Sequence, residues 1–356
     1  MEAPKNESKF QRSKAEYAGG PSTLCTGCGH DLITSSIISA YSDLQIDPYD
    51  IIKMSGIGCS SKTPGYFVGV AQGINSMHGR MAPVATGALT VRPDKYFIGV
   101  SGDGDTASIG LGGFCHLIRR NPRMVYIVAN NGVYGLTKGQ FSPTADKSAL
   151  LKSGEQNHFS GIDICSLSLT LGCGFVARAY VGDQKQLVSI LKSAIQFDGL
   201  AVIDVISPCI TFNNHDGSQM SYTYIKTHQK ILNTVDFVDR VSGDLMKTNQ
   251  GLVDDMQKDR SNAAEYTVQI EDDYTIHIKK INHLDHDVSN VSSALRTLEE
   301  ARAKGHVLTG LLHCQPVNRS LSDELNLEST RSLADLTEKE LRPNQDEFQK
   351  LMKGYC

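Results

Sequence analysis

The sequence predicts an α/β protein in which helices cover both faces of a doubly wound, mostly parallel sheet. First, five or more short apolar runs alternate with helical patterns between residues 31 and 206. Second, the runs at Tyr96–Ser101 and Met124–Ala129 flank one helical pattern, as in a βαβ unit. Third, both runs are continuously apolar, which is typical of parallel strands buried on both faces. A sheet of this kind binds ligands beyond the carboxyl ends of its strands.

The elements before this unit are predicted from composition and periodicity. They are a loose or partner-bound arm at 1–20, a helix at Asp31–Leu44 after the turn CTGCGH, a strand at Asp50–Ser55 before the turn GIGCSSK, and a stretch of small residues at Met77–Gly87 that suits a tightly packed helix. Each glycine turn that follows a strand is expected at the ligand edge of the sheet.

After the central unit the alternation continues to about residue 230. The predicted elements are a polar loop at 138–160, a helix at Ile162–Leu171, a strand at Gly174–Val181, an amphipathic helix at Asp183–Phe197 and a buried strand at Leu200–Ile206. Beyond it they are a polar helical segment at 230–265, a hairpin at Tyr266–Ile281 around Asp272 and Asp273, a helix at Val291–Lys304, a short apolar run at Val307–Leu312 and a helix-prone tail. We therefore expect an α/β domain at 21–230 and, at 231–356, a C-terminal extension of helices and a small hairpin that makes subunit contacts.

Composition indicates a globular protein with a sizeable core, since 40% of the 356 residues are hydrophobic and 21% are charged. A net charge of -4 without a basic run argues against nucleic acid as the main partner. No apolar run approaches the roughly 18 residues that span a membrane, and the polar start lacks the apolar core of a signal peptide. We expect a cytoplasmic protein. Some of its nine cysteines are then expected to serve metal binding or redox chemistry, because structural disulfides are rare in that compartment.

The acidic turn after the first central strand, Gly102–Asp105, has three interpretations. It is an ordinary surface turn, a dinucleotide site through the pattern G-x-G-x-x-A, or a magnesium site. A dinucleotide site fits poorly, because two carboxylates would face the pyrophosphate without a neutralising charge. A magnesium ion supplies that charge, and Asp103 and Asn131 end neighbouring predicted strands. The third interpretation is therefore favoured.

Four cysteines lie in turns that are suited to metal binding. Cys25, Cys28 and Cys59 have glycine neighbours, and Cys209 follows a strand end and a proline. Four such thiolates bind either a [4Fe–4S] cluster or a structural zinc ion, and spacing alone leaves both open. Cys115, Cys165, Cys173 and Cys314 are expected to be buried apolar residues, and Cys356 a free terminal thiol.

The motifs together resemble those of the β subunits of 2-oxoacid:ferredoxin oxidoreductases. They are GDG followed by NN at 130–131, GLTKGQFSPT at 135–144, CTGCGH, IGCSSK and SPC. The resemblance implies a sheet of the thiamine diphosphate-binding type, with magnesium held by Asp103, Asn131 and the carbonyl of Val133. It also implies one [4Fe–4S] cluster held by Cys25, Cys28, Cys59 and Cys209.

The same resemblance implies roles for further residues around the thiamine diphosphate. The predicted cofactor contacts are Ile57, Gly58, Cys59, Ser60, His78, Gly104, Asp105, Gly135 and Leu136. The predicted substrate contacts are Lys62, Leu136 and Lys138, and the predicted catalytic residues are Lys62 and His30. Other readings stay open, since an isolated lysine is often solvated and an isolated histidine is often structural. Arg80 has two candidate roles, at a diphosphate or at a helix end, and His215 has none.

The resembled family oxidises 2-oxo acids to acyl-coenzyme A and CO₂, passes electrons to ferredoxin, and also runs in reverse as a carboxylase, as in a reductive citric acid cycle. No glutamate lies in a predicted ligand-edge turn, and in the resembled family the activating glutamate comes from a separate α subunit. The resemblance therefore implies an α subunit that supplies this acid and most of the coenzyme A site, in an (αβ)₂ assembly. The C-terminal stretch ALRTLEEARAKGHVLTGLL followed by ELN resembles 2-oxoglutarate-type members, which favours 2-oxoglutarate over pyruvate or branched-chain acids. The alternatives are a zinc-stabilised nucleotide-binding module and a non-redox thiamine enzyme.

Overall fold

A computed structural model describes residues 11–151, 154–239, 263–271, 274–281, 286–316, 320–325, 327 and 332–355. Its main sheet confirms the predicted α/β class. The eight strands are, in spatial order, β2 (Gln72–Asn75), β1 (Ile51–Ser55), β3 (Tyr96–Gly102), β4 (Met124–Asn130), β8 (Leu200–Ile206), β7 (Phe175–Tyr180), β13 (Val307–Cys314) and β9 (Gln229–Ile231). The six strands from β2 to β7 are parallel, β13 runs antiparallel to β7, and β9 runs parallel to β13.

Helices cover both faces of this sheet, as a doubly wound fold requires. On one face the core includes Ile33 and Ile37 of α1 (Gly29–Leu44) and Leu187 and Ile190 of α5 (Gln184–Gln196). On the other face pack α2 (Met81–Val91), α3 (Leu111–Arg120), α4 (Ile164–Thr170) and α7 (Val291–Ala303). In the described parts of the chain, the other α-helices are α6 (Tyr222–His228), α8 (Leu321–Glu324), α9 (Glu338–Leu341) and α10 (Gln345–Lys353). The last three lie in the C-terminal tail, whose described residues are helix-prone as predicted.

The central strands are apolar because they are covered on both sides, and every residue of β4 and β8 is buried. Their register aligns the strand ends, with Gly102 opposite Ala129 and Asn130 opposite Ile206. The turns that follow β3, β4 and β8 therefore meet at one edge of the sheet.

A second, three-stranded sheet contains β10 (Asn233–Asp239), β12 (Tyr274–Lys280) and β11 (Glu265–Glu271) in that order. The antiparallel pair β11–β12 confirms the predicted hairpin, although its turn at 272–273 lies outside the described residues. The prediction of a helix from residue 230 is wrong for β10. That segment alternates polar and apolar residues at Thr234–Phe237, and it pairs with β12 far along the chain. Residues 240–262 of the same segment lie outside the described residues.

Two segments outside the predicted α/β domain, one around Tyr17 and one at Val307–Cys314, pack on it more closely than expected. Tyr17 is fully buried and its hydroxyl donates to the Ile46 carbonyl oxygen at 2.9 Å, so the described part of the predicted loose arm is not loose. Strand β13, from the predicted C-terminal extension, is a member of the main sheet. The domain boundary at residue 230 stays a prediction. Within the described ranges, no helix combines the length and apolar character that crossing a membrane requires.

Candidate functional site

A pocket at the carboxyl edge of the main sheet collects the turns after β1, β3 and β4. It is lined by His30, Ile57, Gly58, Cys59, Ser60, His78, Gly102, Asp103, Gly104, Asp105, Asn131, Val133, Tyr134, Gly135, Leu136 and Thr137. All the predicted magnesium ligands and all the predicted thiamine diphosphate contacts are among these residues. Their arrangement in one pocket fits the predicted roles, and the roles themselves stay predictions.

Asp103 lies at the base of this pocket with 2% of its surface exposed. Its Oδ2 accepts hydrogen bonds from the Gly132 backbone NH at 3.0 Å, the Ser142 hydroxyl at 2.5 Å and the Thr144 hydroxyl at 2.6 Å. Burial raises the pKa of the Asp103 carboxyl, and the hydrogen bonds from Ser142 and Thr144 counteract that shift. A bound cation would stabilise the ionised carboxylate that burial disfavours, so this position suits a metal ligand.

Asn131 is held in a fixed orientation beside Asp103. Its Oδ1 accepts a hydrogen bond from the Val133 NH at 3.0 Å, and its backbone carbonyl accepts one from Nδ2 of Asn213 at 2.8 Å. Gly132, between Asn131 and Val133, has a φ of 70°, in the left-handed region that favours glycine. A Cβ there would also lie 2.8 Å from Nδ2 of Asn213. The turn thus brings the predicted oxygen ligands to one side of the pocket.

Asp105 holds three ligand-edge turns together. Its Oδ1 accepts hydrogen bonds from the Gly79 NH at 2.7 Å, from the Ile57 NH at 3.2 Å and from Nδ1 of His78. Its Oδ2 accepts one from the Ser101 hydroxyl at 2.6 Å. This clamping role was not predicted from the sequence, where Asp105 was assigned to cofactor contact.

The helix predicted between β3 and β4 begins as a short π-helical turn, Asp105–Ile109, and continues as α3. The Gly110 NH donates to the Asp105 carbonyl at 2.9 Å, which is the five-residue spacing of a π-turn. Such turns occur frequently at functional sites, and here the turn places the Asp105 side chain under the pocket.

Replacing Gly56 with alanine is expected to disrupt this clamp. A Cβ at Gly56 would lie 1.7 Å from Oδ2 of Asp105, so the carboxylate must move away from its four donors. Overpacking of this kind costs roughly 1–3 kcal/mol. We expect a lower thermal midpoint and weaker thiamine diphosphate binding. The matched control is Gly87→Ala in α2, where a Cβ meets nothing within 4 Å; an equal loss in both variants would contradict the prediction.

His30 and Ser60 place two polar groups on the pocket wall. Nδ1 of His30 lies 2.7 Å from the Ser207 hydroxyl, and burial lowers the pKa of the imidazole to about 4. The ring is therefore neutral at neutral pH and offers a hydrogen bond rather than a positive charge. The Ser60 hydroxyl is buried and has no hydrogen-bond partner among the described residues. A buried hydroxyl without a partner is suited to bind a polar ligand group.

The four cysteines predicted to bind a cluster converge next to this pocket. A Cβ on Gly135 would lie 3.5 Å from Sγ of Cys209 and 3.7 Å from Sγ of Cys59, so Gly135 lies directly beside both sulfurs. The pKa of Cys28 is raised to about 12, mainly by burial, and nearby Cys209 and Cys59 contribute to this rise. Cys25 lies close enough to Cys59 to raise its pKa as well, after the effects of burial and Cys209.

Within the described ranges, no three histidine, cysteine, aspartate or glutamate side chains converge tightly enough to hold one metal ion. A four-iron cluster is itself several ångströms across, so its ligands stand further apart than those of a single ion. As predicted, Cys165, Cys173 and Cys314 are buried. Cys115 is only half-buried, so the prediction of burial is wrong for this residue, and Cys356 lies outside the described residues.

The predicted substrate contacts Lys62 and Lys138 are not among the residues that line the pocket, and neither are Arg80 and His215, for which no single role was predicted. Lys62 is exposed on a 3₁₀ helix, Cys59–Gly65, and Lys138 is exposed in the turn between β5 (Val133–Tyr134) and β6 (Gln140–Phe141). Arg80 is exposed at the start of α2. Nδ1 of His215 lies 2.9 Å from the Asp216 carbonyl oxygen. The predicted substrate contacts of Lys62 and Lys138 stay predictions.

Sequence reasoning missed a buried ionic group behind the pocket. Arg178 on β7 donates from Nε to Asp204 at 2.8 Å and from Nη2 to Asp163 at 2.7 Å. Nδ2 of Asn130 donates to Asp204 at 3.0 Å, and the Thr144 hydroxyl oxygen lies 2.9 Å from Oδ1 of Asn130. The signal was present in the sequence, because Asp204 and Arg178 are single charges within the apolar runs LAVIDVI and FVARAY.

Replacing Arg178 with methionine is expected to lower the free energy of unfolding by roughly 3–5 kcal/mol, because two buried carboxylates lose their cation. Burial raises the pKa of Asp163, but Arg178 and the Ser166 NH bring it below its ordinary value of 3.8. A lowered folded-state pKa stabilises the fold where the group is ionised. The deficit is therefore largest at neutral pH and shrinks below about pH 4. Urea titrations at both pH values check this, with exposed Arg302→Met as the control.

Comparison with known proteins agrees with the class that the fold and site define. Residues 56–205 match the sequence model described as "Thiamine pyrophosphate enzyme, C-terminal TPP binding domain". The chain is 44% identical over 191 residues to the 2-oxoacid:ferredoxin oxidoreductase subunit beta of Saccharolobus solfataricus, covering 53% of this chain and 63% of that protein. It is 38% identical over 193 residues to the 2-oxoglutarate synthase subunit KorB of Methanocaldococcus jannaschii, covering 54% of this chain and 71% of that protein.

A solved structure shares nearly the whole fold. It is the 2-oxoglutarate:ferredoxin oxidoreductase from Magnetococcus marinus with 2-oxoglutarate, coenzyme A and succinyl-CoA bound, with 25% identity, a TM-score of 0.70 and coverage of 97% of each chain. This chain belongs to the β subunits of the 2-oxoacid:ferredoxin oxidoreductases, which confirms the resemblance. The match spans less than two thirds of the Saccharolobus relative.

Proposed function

We propose that the chain is the β subunit of a 2-oxoglutarate:ferredoxin oxidoreductase. The reaction is the coenzyme A-dependent oxidative decarboxylation of the 2-oxo acid to acyl-coenzyme A and CO₂, with electrons passed to ferredoxin, and it is reversible. The observation that carries this proposal is the shared wall between the pocket and the cysteine group. Cys59 and Gly135 line the pocket, and a Cβ on Gly135 would lie 3.5 Å from the sulfur of Cys209 and 3.7 Å from that of Cys59.

The residues present fit the cofactors of this reaction. Asp103, Asn131 and the carbonyl oxygen of Val133 would hold Mg²⁺, which prefers oxygen ligands together with substrate phosphates. The buried Ser60 hydroxyl and neutral His30 would orient the organic cofactor. Thiamine diphosphate supplies the electron sink for decarboxylation when bound. The four cysteines would hold one [4Fe–4S] cluster within electron-transfer reach of the pocket.

A partner subunit is part of the proposal. Asp103 and Asp105 are the acidic side chains among the residues that line the described pocket, and Asp105 already accepts four hydrogen bonds from protein groups. We infer that an α subunit supplies the activating glutamate and most of the coenzyme A site, in an (αβ)₂ assembly. Ferredoxin is the proposed electron partner, and the cytoplasmic location stays a prediction.

The preference for 2-oxoglutarate draws on two observations. The names of the Methanocaldococcus relative and of the solved Magnetococcus enzyme contain 2-oxoglutarate. Lys62 and Lys138 are exposed near the pocket residues Cys59 and Leu136, and they are candidates for binding a dicarboxylate. The name of the Saccharolobus relative favours a second candidate, a broader 2-oxo acid specificity that includes pyruvate.

Anaerobic co-expression with the neighbouring gene products tests the proposal. The purified complex is assayed for viologen reduction that depends on coenzyme A, across a panel of 2-oxo acids. We expect the highest rate with 2-oxoglutarate and no turnover from this chain alone. A complex that contains zinc instead of iron and reduces no acceptor would favour the nucleotide-binding alternative and contradict the proposal.

A further inference from the structure

The geometry points to Thr144 as a positioning residue that fixes the carboxylate of Asp103 for the metal ion. This inference rests on the proposed function, because it takes Asp103 as a magnesium ligand. Thr144 lies in the loop that follows β6, outside the strands that carry the predicted ligands. It is 5% exposed, so its hydroxyl satisfies its hydrogen bonds inside the protein.

The Thr144 hydroxyl lies at the junction of a buried polar chain. Its Oγ1 is 2.6 Å from Oδ2 of Asp103, 2.9 Å from Oδ1 of Asn130 and 2.9 Å from the Ser142 hydroxyl. One side of this junction is thus the predicted metal ligand. The other side is the last residue of β4.

The hydrogen-bonded side chains beyond Thr144 are held in place by further buried contacts. Asn130 is 4% exposed, and its amide cannot rotate freely because Nδ2 donates to Asp204 at 3.0 Å. Asp204 is 1% exposed and is paired with Arg178, which also binds Asp163. Three neighbouring strand regions, β4, β8 and β7, therefore fix the position of the Thr144 hydroxyl. A metal ligand held in this way needs little reorganisation when the ion binds.

This series of hydrogen-bonded side chains also separates two cavities. Asp103 and Asn131 line the candidate cofactor pocket, whereas Thr144, Asn130 and Arg178 line a second cavity behind it. The Thr144 hydroxyl has one proton, and the shorter contact directs it to the charged Asp103 carboxylate. Without this hydroxyl, Asp103 loses one of its three donors to Oδ2. The carboxylate is then free to tilt, and outer-shell changes of this type lower metal affinity by about 10–100-fold.

The test compares Thr144→Val, Thr144→Ser and Thr309→Val in the full complex. Valine matches the shape of threonine without its hydroxyl, and serine keeps the hydroxyl. Thr309 is a fully buried threonine whose hydroxyl accepts from Gln229 at 2.8 Å, so its valine variant controls for a lost buried hydroxyl. Equilibrium dialysis measures bound thiamine diphosphate over a series of Mg²⁺ concentrations.

We expect Thr144→Val to raise the Mg²⁺ concentration for half-maximal binding by about 10–100-fold, while Thr144→Ser and Thr309→Val stay within about threefold of the wild type. Equal Mg²⁺ dependence in Thr144→Val and the wild type, or the same loss in Thr309→Val, would overturn the inference. A wild-type complex that binds no thiamine diphosphate would refute the proposed function instead, so the two failures are distinguishable.

Discussion

Replacing Cys59 with alanine is expected to abolish assembly of the iron–sulfur cluster and, with it, ferredoxin or viologen reduction. Cys59 directly follows the turn after β1, and its sulfur faces the same Gly135 position as the sulfur of Cys209. A cluster needs a thiolate on each iron, and no fifth cysteine among the described residues belongs to this group. Iron and acid-labile sulfide content of the anaerobically purified complex should fall towards zero.

Two comparisons make this result interpretable. Cys115→Ala removes a half-buried thiol from α3, outside the group, and should leave iron content unchanged. Thermal unfolding of Cys59→Ala, followed by circular dichroism, shows whether the α/β core still folds. A folded Cys59→Ala variant that retains full iron and sulfide would refute the assignment of Cys59 as a cluster ligand.

The central fold was predictable because each of its strands has a recognisable local sequence pattern. Runs such as Met124–Ala129 are apolar throughout, and the covered faces of β4 and β8 explain that pattern. The C-terminal strands were harder, since their partners are distant in the chain. Asn233–Asp239 has polar neighbours, and its strand state depends on pairing with Tyr274–Lys280. The place of β13 beside β7 likewise depends on a pairing that no local pattern encodes.

The candidate site was predicted to the level of residues but not of contacts. The position of the pocket was predicted from the turns at the strand ends, because the carboxyl ends of parallel strands meet at one edge of the sheet. The sequence did not show that Asp105 binds three turns of the protein, or that Thr144 links Asp103 to Arg178. These contacts join residues up to 74 positions apart through single hydrogen bonds, which leave no periodic trace in a sequence.

Asparagine at position 103 is expected to produce the largest loss of cofactor binding. The change keeps the size of the side chain but removes the negative charge that would offset Mg²⁺, and it replaces one of the two acceptor oxygens with an NH₂ group. If Oδ1 of the asparagine takes the three donors at Gly132, Ser142 and Thr144, its Nδ2 faces the metal. We expect Mg²⁺-dependent thiamine diphosphate binding to weaken by more than about 100-fold and turnover to fall below detection.

Asp146→Asn is the matched control, since it neutralises a half-buried aspartate that lines the cavity on the other side of Thr144. It should leave the Mg²⁺ dependence unchanged.

The double variant Asp103→Asn, Thr144→Val tests whether the two residues act together. If Thr144 acts on the metal through Asp103, the valine change should weaken binding no further once Asp103 is asparagine, because coupled residues are not additive. Full additivity of the two losses would show that Thr144 affects the site by another route, and wild-type Mg²⁺ dependence in Asp103→Asn would remove Asp103 from the metal site.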